Sequence, residues 1–234
     1  MNLTDSKKIK CGVVIVAGGS GSRMGGEIPK QFLELSGKPV LVHSLMRFLE
    51  FDPGITVVVV LASSHRKYWE KIDTSGVLPQ GIRLAEGGST RFESVQNGLK
   101  MLKDVDLIGI HDAVRPLVSI ETLERCYEAA RTTGSGIPVT GMEDTVRIIR
   151  GNGHSEHLDR SLLRRIQTPQ VFHAGKIQDA YNQSFHPSFT DDASVYESLY
   201  GEVSLVSGNE ENIKITTATD LMLASVIIGR LHSR

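Results

Sequence analysis

The residues with most chemistry lie between Val13 and Phe32, V-V-I-V-A-G-G-S-G-S-R-M-G-G-E-I-P-K-Q-F. This stretch holds Gly18, Gly19, Gly21, Gly25 and Gly26, and its only cations are Arg23 and Lys30. Glycine lets backbone approach a ligand closely and adopt positive φ, so that N–H groups converge on an anion. Two cations added to such a loop point to a polyphosphate; the plain alternative is a surface turn behind a core strand. The spacing rejects two familiar motifs. A dinucleotide fingerprint, G-x-G-x-x-G, would need glycine where Met24 stands, and the second apolar run ends in Ala62-Ser63-Ser64 rather than in an acid. A P-loop would need Lys and Ser/Thr after Gly26, where Glu27 and Ile28 follow.

Other groups of residues could join this loop. H-D-A-V-R-P, His111 to Pro116, places Asp112 and Arg115 past an apolar run. Asp112 could hold Mg2+ or a ribose hydroxyl and Arg115 could fork onto a phosphate, or the two could simply pair with each other. His111 reads as a packing or hydrogen-bonding residue, since a phosphate nucleophile has no proton to lose. G-G-S-T-R, Gly87 to Arg91, offers free N–H groups to a base or anion, or is an ordinary capped helix start. D-R-S-L-L-R-R-I-Q-T-P-Q, Asp159 to Gln170, is dense in arginine (Arg160, Arg164, Arg165), of which one is expected at a ligand and the rest in solvent. Lys214 interrupts an apolar run, where it must reach an anion or snorkel to water. There is no H-E-x-x-H, no Cys/His cluster and no G-x-S-x-G elbow.

These residues need a scaffold, and the periodicity supplies one. Strands are expected at Val13–Val16, Ile55–Ala62, Ile82–Ala85 and Leu107–Ile110. Helices are expected over Pro39–Phe51, over Ser64–Ile72, from the capping box Thr90-x-x-Glu93 with Phe92, Val95, Leu99 and Leu102 inward, and from Ser119 to Gly134. Strand–helix alternation implies an α/β fold with a mostly parallel, doubly wound sheet. Ligands bind beyond the carboxyl ends of such strands, where the Gly18 loop, Gly87-Gly88 and His111-Asp112 all fall.

After Gly134 the pattern changes. Asp144–Arg150, the turn Gly151-Asn152-Gly153 and a return from Glu156 read as a projecting β-arm over 144–160, with little core of its own and so in need of a partner. Helices are expected from Ala174 and from Asp191, the latter capped by Thr190. Strands are expected at Val203–Val206 and Ile213–Thr216, and a last helix over Asp220–Leu231. No linker interrupts residues 1–234, so one domain is expected.

A net charge of −1 on 234 residues argues against a general nucleic-acid binder. Cys11 and Cys126 lack metal-ligand spacing and read as buried thiols. The N-terminus has no apolar signal core and no apolar run is long enough to span a membrane, so a cytoplasmic location is expected.

The order Gly-rich loop, Arg23, Pro29-Lys30 resembles the signature of sugar-nucleotide pyrophosphorylase-like nucleotidyltransferases. A longer ordered set runs over nearly the whole chain: A-G-G-S-G-S-R-M-G…P-K-Q, G-G-S-T-R-x-x-S-V, H-D-A-V-R-P, D-R-S-x-L-x-x-x-Q-T-P-Q-x-F, T-D-D-A-S and N-I-K-I-T. That set resembles the 2-C-methyl-D-erythritol 4-phosphate cytidylyltransferase family. The resemblance implies a Rossmann-like nucleotidyltransferase fold and cytidylyl transfer from CTP to a sugar phosphate, with Mg2+, in non-mevalonate isoprenoid synthesis. It further implies that Arg23 and Lys30 meet the triphosphate and that Lys214 sits near the reacting phosphate. Backbone around Ala17, Gly18 and Gly19, with Gly88, Ser89 and Ser94, would read cytosine, and Asp112 would hold ribose or metal. Arg115, Thr168 and Thr190 would position the sugar phosphate, helped by Thr145 and Arg160 from the arm of a second subunit in a homodimer.

Three positions depart from the commonest family pattern: Gly18 in Ala-Gly-Gly, Ser89 for Asp, and Val114 for Ala. Val114 keeps a ribitol-5-phosphate cytidylyltransferase open as the alternative, against which Asp159-Arg160-Ser161 favours the erythritol-phosphate family. Rivals of other classes are a non-catalytic nucleotide sensor on the same fold and a redox enzyme, the latter weakened by the missing fingerprint.

Overall fold

The computed structural model describes residues 9–19 and 28–232. Its first half winds outward from a β-branched run. β1 (Cys11–Val16) is followed by a short hairpin, β2 (Glu34–Leu35) and β3 (Lys38–Pro39), and by α1 (Val40–Phe51). Next come β4 (Thr56–Leu61), α2 (Arg66–Asp73) and β5 (Arg83–Glu86). α3 (Arg91–Leu99) then carries the chain back across the sheet to β6 (Leu107–Asp112). These four sheet strands are parallel in the order β5-β4-β1-β6. The winding therefore reverses between β1 and β6, and a crevice opens at their carboxyl ends.

The second half extends the sheet. α4 (Ile120–Thr133) leads to β7 (Ser135–Gly141). A separate hairpin follows, β8 (Val146–Ile149) and β9 (Ser155–Leu158), and then β10 (Arg164–Ile166) and β11 (Gln170–His173). β11 inserts antiparallel between β6 and β7. α5 (Ala174–Ala180), α6 (Asp192–Tyr200), β12 (Leu205–Ser207) and α7 (Ala218–His232) complete the order, with β12 parallel to β7.

Alternation along the strands separates two core layers. Val13 and Ile15 pack with Leu45 and Phe48 of α1, Trp69 of α2 and Leu123 of α4. Val14 faces the other way, onto Val95 and Leu99 of α3, Ile177 of α5 and Val195 of α6. A third cluster lays Ala224 and Ile228 of α7 against Val114, Leu117 and Ile215. The loop that follows Asp112 is thus clamped from behind.

Several expected details shift. β6 runs on through His111 and Asp112, so both belong to the strand. Thr90 accepts the Glu93 N–H at 3.1 Å, but the Glu93 carboxylate takes the N–H and hydroxyl of Ser89, so only half of the capping box forms. α6 is capped by Asp191 rather than Thr190, because Asp191 and Ser194 exchange side-chain and backbone bonds reciprocally. Ile213–Thr216 is not a strand: the Asp220 carboxylate draws the N–H groups of Thr216 and Thr217 (2.8 Å each) into the start of α7. That helix begins at Ala218, two residues before the expected Asp220. No residue from 141 to 166 is buried, and Ile149 and Leu162 on this arm are 73% and 80% exposed.

Candidate active site

Two loops are pinned over the β1 end. Ala17 N–H continues the ladder to Val60 O at 2.9 Å. The buried Gln31 amide reaches back to Ala17 O (2.7 Å) and Gly19 O (3.2 Å), with His65 Nδ1 3.1 Å away. Gln31 thereby fixes the first residues of the glycine loop and places its neighbour Lys30 at the rim. It stands in the quoted P-K-Q, yet its role could not be read without knowing that the chain returns to β1. Across the crevice, Gly88 N–H donates to Ser94 Oγ (3.0 Å), which donates to Thr90 O (2.8 Å). A Cβ on Gly88 would collide with Glu93, so this turn requires glycine.

Between the two loops stands Asp112, the last residue of β6. Its Oδ2 lies 2.8 Å from Lys214 Nζ and 3.8 Å from Arg115 Nε, and its Oδ1 lies 3.7 Å from Arg91 Nε. Burial alone would raise the carboxyl group's pKa, but Arg91, Lys214 and Arg115 override it and hold the group well below the usual carboxylate range. Arg91 is in turn gripped by the fully buried Asp192 through two hydrogen bonds of 2.7 and 2.6 Å. Burial disfavours the Arg91 charge, yet the neighbouring Asp192 carboxylate raises its pKa well above the ordinary value.

A hydrogen-bond chain locks the strand end behind Asp112. Asp112 N–H donates to Thr168 Oγ1 at 3.1 Å. His111 Nε2 lies 3.1 Å from Arg115 O, which can only accept, so Nε2 carries the proton. Nδ1 therefore accepts from the Thr168 hydroxyl, also at 3.1 Å. Burial pushes the His111 pKa down to about 4, so the imidazole is neutral at physiological pH. It is a hydrogen-bonding residue, as its context suggested.

A cavity of about 490 Å³ joins these parts. It brings together Ala17, Gly18, Gly19, Lys30, Gly88, Ser89, Ser94, Asp112 and Lys214, all expected from the sequence, and adds Gln31 and Arg91. Arg23 lies outside the described residues. The remaining expected residues do not line this cavity. Arg115 sits behind Asp112, its Nη1 donating to Asn212 O at 2.7 Å, and its buried Nε has no hydrogen-bond partner among the described residues. Thr168 is buried with its hydroxyl proton already given to His111. Thr190 is exposed just before α6, and Thr145 is exposed before β8. Arg160 is exposed after β9, donating to Glu143 O.

The described donors do not make up a protein-built metal site. Of these, Asp112 is the only carboxylate lining the cavity and is crowded by three cations. Among the described residues no group of three or more His, Cys, Asp or Glu side chains could hold a metal.

Comparison with known proteins gives one answer. Residues 11–230 match the family of 2-C-methyl-D-erythritol 4-phosphate cytidylyltransferases. The protein of that name from Phocaeicola vulgatus is 47% identical over 216 residues, covering 92% of this chain and 98% of the relative. The one from Bacteroides thetaiotaomicron is 43% identical over 220 residues, covering 94% and 100%. Among solved structures, the 4-diphosphocytidyl-2C-methyl-D-erythritol synthase of Anaerococcus prevotii superposes with a TM-score of 0.80 at 28% identity, covering 94% of this chain and 96% of the other.

Proposed function

This chain belongs to the 2-C-methyl-D-erythritol 4-phosphate cytidylyltransferase family, and from that premise we propose how its main cavity works. The reaction is cytidylyl transfer from CTP to 2-C-methyl-D-erythritol 4-phosphate, a step of non-mevalonate isoprenoid precursor synthesis. A phosphate oxygen of the sugar phosphate attacks the α-phosphorus of CTP, the bond to the β-phosphate breaks and pyrophosphate leaves. Both reactants are anions, so the protein's task is charge neutralisation and alignment.

In this reading residues 1–234 form one nucleotidyltransferase domain. The Gly18 loop with Arg23 and Lys30 takes the triphosphate, and the fixed turn at Gly88, Ser89 and Ser94 reads cytosine through backbone groups. Asp112 meets the ribose. Lys214, the half-exposed end of the cation cluster, turns from Asp112 to the reacting phosphate. The single observation that carries the reading is the 2.8 Å Lys214–Asp112 pair standing in one cavity with both glycine turns. Magnesium, in this view, arrives on the triphosphate rather than in a protein-built site. The sugar phosphate lies toward Arg115, whose charge favours an incoming anion, and toward Thr190; Thr168 acts by holding Asp112.

The arm over 144–160 supports a shared site in a homodimer. A hairpin with no buried residue, with Ile149 exposed on it and Leu162 exposed just beyond it, needs a surface to cover it, and Thr145 and Arg160 at its base would reach the partner's sugar phosphate. No described helix is long and apolar enough to cross a membrane, and we place the enzyme in the cytoplasm.

The test is pyrophosphate release from CTP and Mg2+ with 2-C-methyl-D-erythritol 4-phosphate or ribitol 5-phosphate. Rapid release with the first alone is expected. Preference for ribitol 5-phosphate would overturn the substrate assignment, and CTP binding without turnover would leave a nucleotide sensor.

A further inference from the structure

Arg91 closes the G-G-S-T-R motif and lines the cavity, yet the proposed reaction gives its side chain no role. It opens α3 one residue after the Thr90 cap, at the end of the turn that carries Gly88. Two sides of its guanidinium face carboxylates. Nη1 and Nη2 form a two-pronged bond to Asp192, at the start of α6, and Nε faces Asp112 Oδ1 at 3.7 Å. Asp192 is fully buried and also accepts the Tyr181 hydroxyl at 2.6 Å, so its own orientation is fixed. Arg91 is therefore committed to Asp192 by the fork rather than left free to swing onto a phosphate. It lies instead in a continuous line from the start of α6 through Asp192 and Arg91 to Asp112, and on to Lys214.

We propose that Arg91, clamped by Asp192, is a positioning residue that orients the Asp112 carboxylate so that its other oxygen presents Lys214 to the reacting phosphate. This rests on the reading of the cavity as the cytidylyl-transfer site. A carboxylate with a cation on each side cannot rotate freely. Without the charge on its Oδ1 side, Asp112 can turn both oxygens toward Lys214 and Arg115 and draw Lys214 inward. The same clamp joins the turn that meets the nucleotide to the segment Thr190-Asp191-Asp192. That segment leads out of the side where the sugar phosphate is placed, so the clamp fixes the distance between the two reactants.

A plain structural staple between α3 and α6 would use the same Arg91–Asp192 bond, and the experiment separates the two. Arg91→Lys keeps the charge but loses the fork, and Asp192→Asn keeps the shape but loses the charge. Each is measured for pyrophosphate release, direct CTP binding and melting temperature, in the wild-type and the Lys214→Met background. In the wild-type background kcat should fall about tenfold or more while CTP affinity changes less than about threefold. In the Lys214→Met background the further loss should shrink to about twofold or less, because the residue to be positioned is gone. If Arg91→Lys does not fold, Asp192→Asn alone carries the comparison, and Asp192→Glu replaces it if that too fails. Equal losses in both backgrounds, or a kcat that follows only the melting temperature, would overturn the proposal. Failure of the wild-type protein to release pyrophosphate would instead remove the reading of the cavity.

Discussion

Acidification should destabilise this protein through one buried imidazole, and the size of the effect follows from its surroundings. His111 is fully buried, donates from Nε2 to Arg115 O and accepts at Nδ1 from Thr168. A second proton on Nδ1 would turn an acceptor into a donor and leave the Thr168 hydroxyl proton without its acceptor. Burial accordingly lowers the pKa from 6.5 to about 4 in the folded protein. Between these values the unfolded chain binds more protons than the folded one, so stability falls as pH falls. The contribution is nearly complete above pH 6.5 and lost progressively down to the folded pKa. Integrated from pH 7 to pH 5, the loss is about 2 kcal/mol, and it approaches about 3 kcal/mol below the folded pKa. The assay is urea unfolding of wild-type and His111→Gln protein across that range. The variant should be less stable at pH 7, but its stability should decline less on acidification, by about 2 kcal/mol at pH 5. Parallel declines would refute the reasoning, since they would show that His111 titrates alike in both states.

CTP should turn over well ahead of ATP or GTP, because the Gly88 turn is fixed by Ser94 and cannot widen for a purine; equal rates in a nucleotide screen would contradict this. Lys30→Met and Arg23→Met should each lower kcat more than they raise KM for CTP, at a cost of about 3 kcal/mol in the transition state. A normal kcat with a raised KM would reduce them to ground-state binding. Mixing Lys30→Met with Arg160→Ala subunits should restore on the order of a quarter of wild-type activity, since about half the dimers are mixed and each has one complete site. Confirmed subunit exchange with no recovery would leave each site within one chain.

What the sequence made legible was local. The continuous apolar runs at Val13 and Ile55 announced parallel strands buried on both faces, and the glycines and cations between Gly18 and Lys30 marked a loop whose described ends line the cavity. Ser119 and Gly134 bounded α4 because an N-cap oxygen and a left-handed glycine act over one helical turn. Long-range geometry was not legible. Thr190 looked like a cap, but Asp191 offered a better acceptor with Ser194 in reach. Ile213–Thr216 had strand composition, but a carboxylate four residues on claimed its N–H groups. Arg91 read as a helix start because its partner, Asp192, lies 101 residues away in the chain. The family resemblance implies a substrate role for Thr168, and nothing in Q-T-P-Q shows that its hydroxyl lies between Asp112 N–H and His111.

These long-range links share one electrical logic. An enzyme that joins two phosphates must hold positive charge in a half-closed cavity before either arrives, and unpaired cations there repel one another and resist desolvation. Among the described residues, three cations, Arg91, Arg115 and Lys214, converge on two carboxylates, Asp112 and Asp192. Asp192 is buried and committed to Arg91, while Asp112 is shared by three cations and fully satisfies none. Lys214 is the one of those three with a side chain as much as 42% exposed. An incoming phosphate can therefore compete for Lys214 without unmaking the Arg91–Asp192 bond. In the proposed reaction the positive excess supplies attraction, and the buried pair keeps that excess in place while Lys214 changes partners.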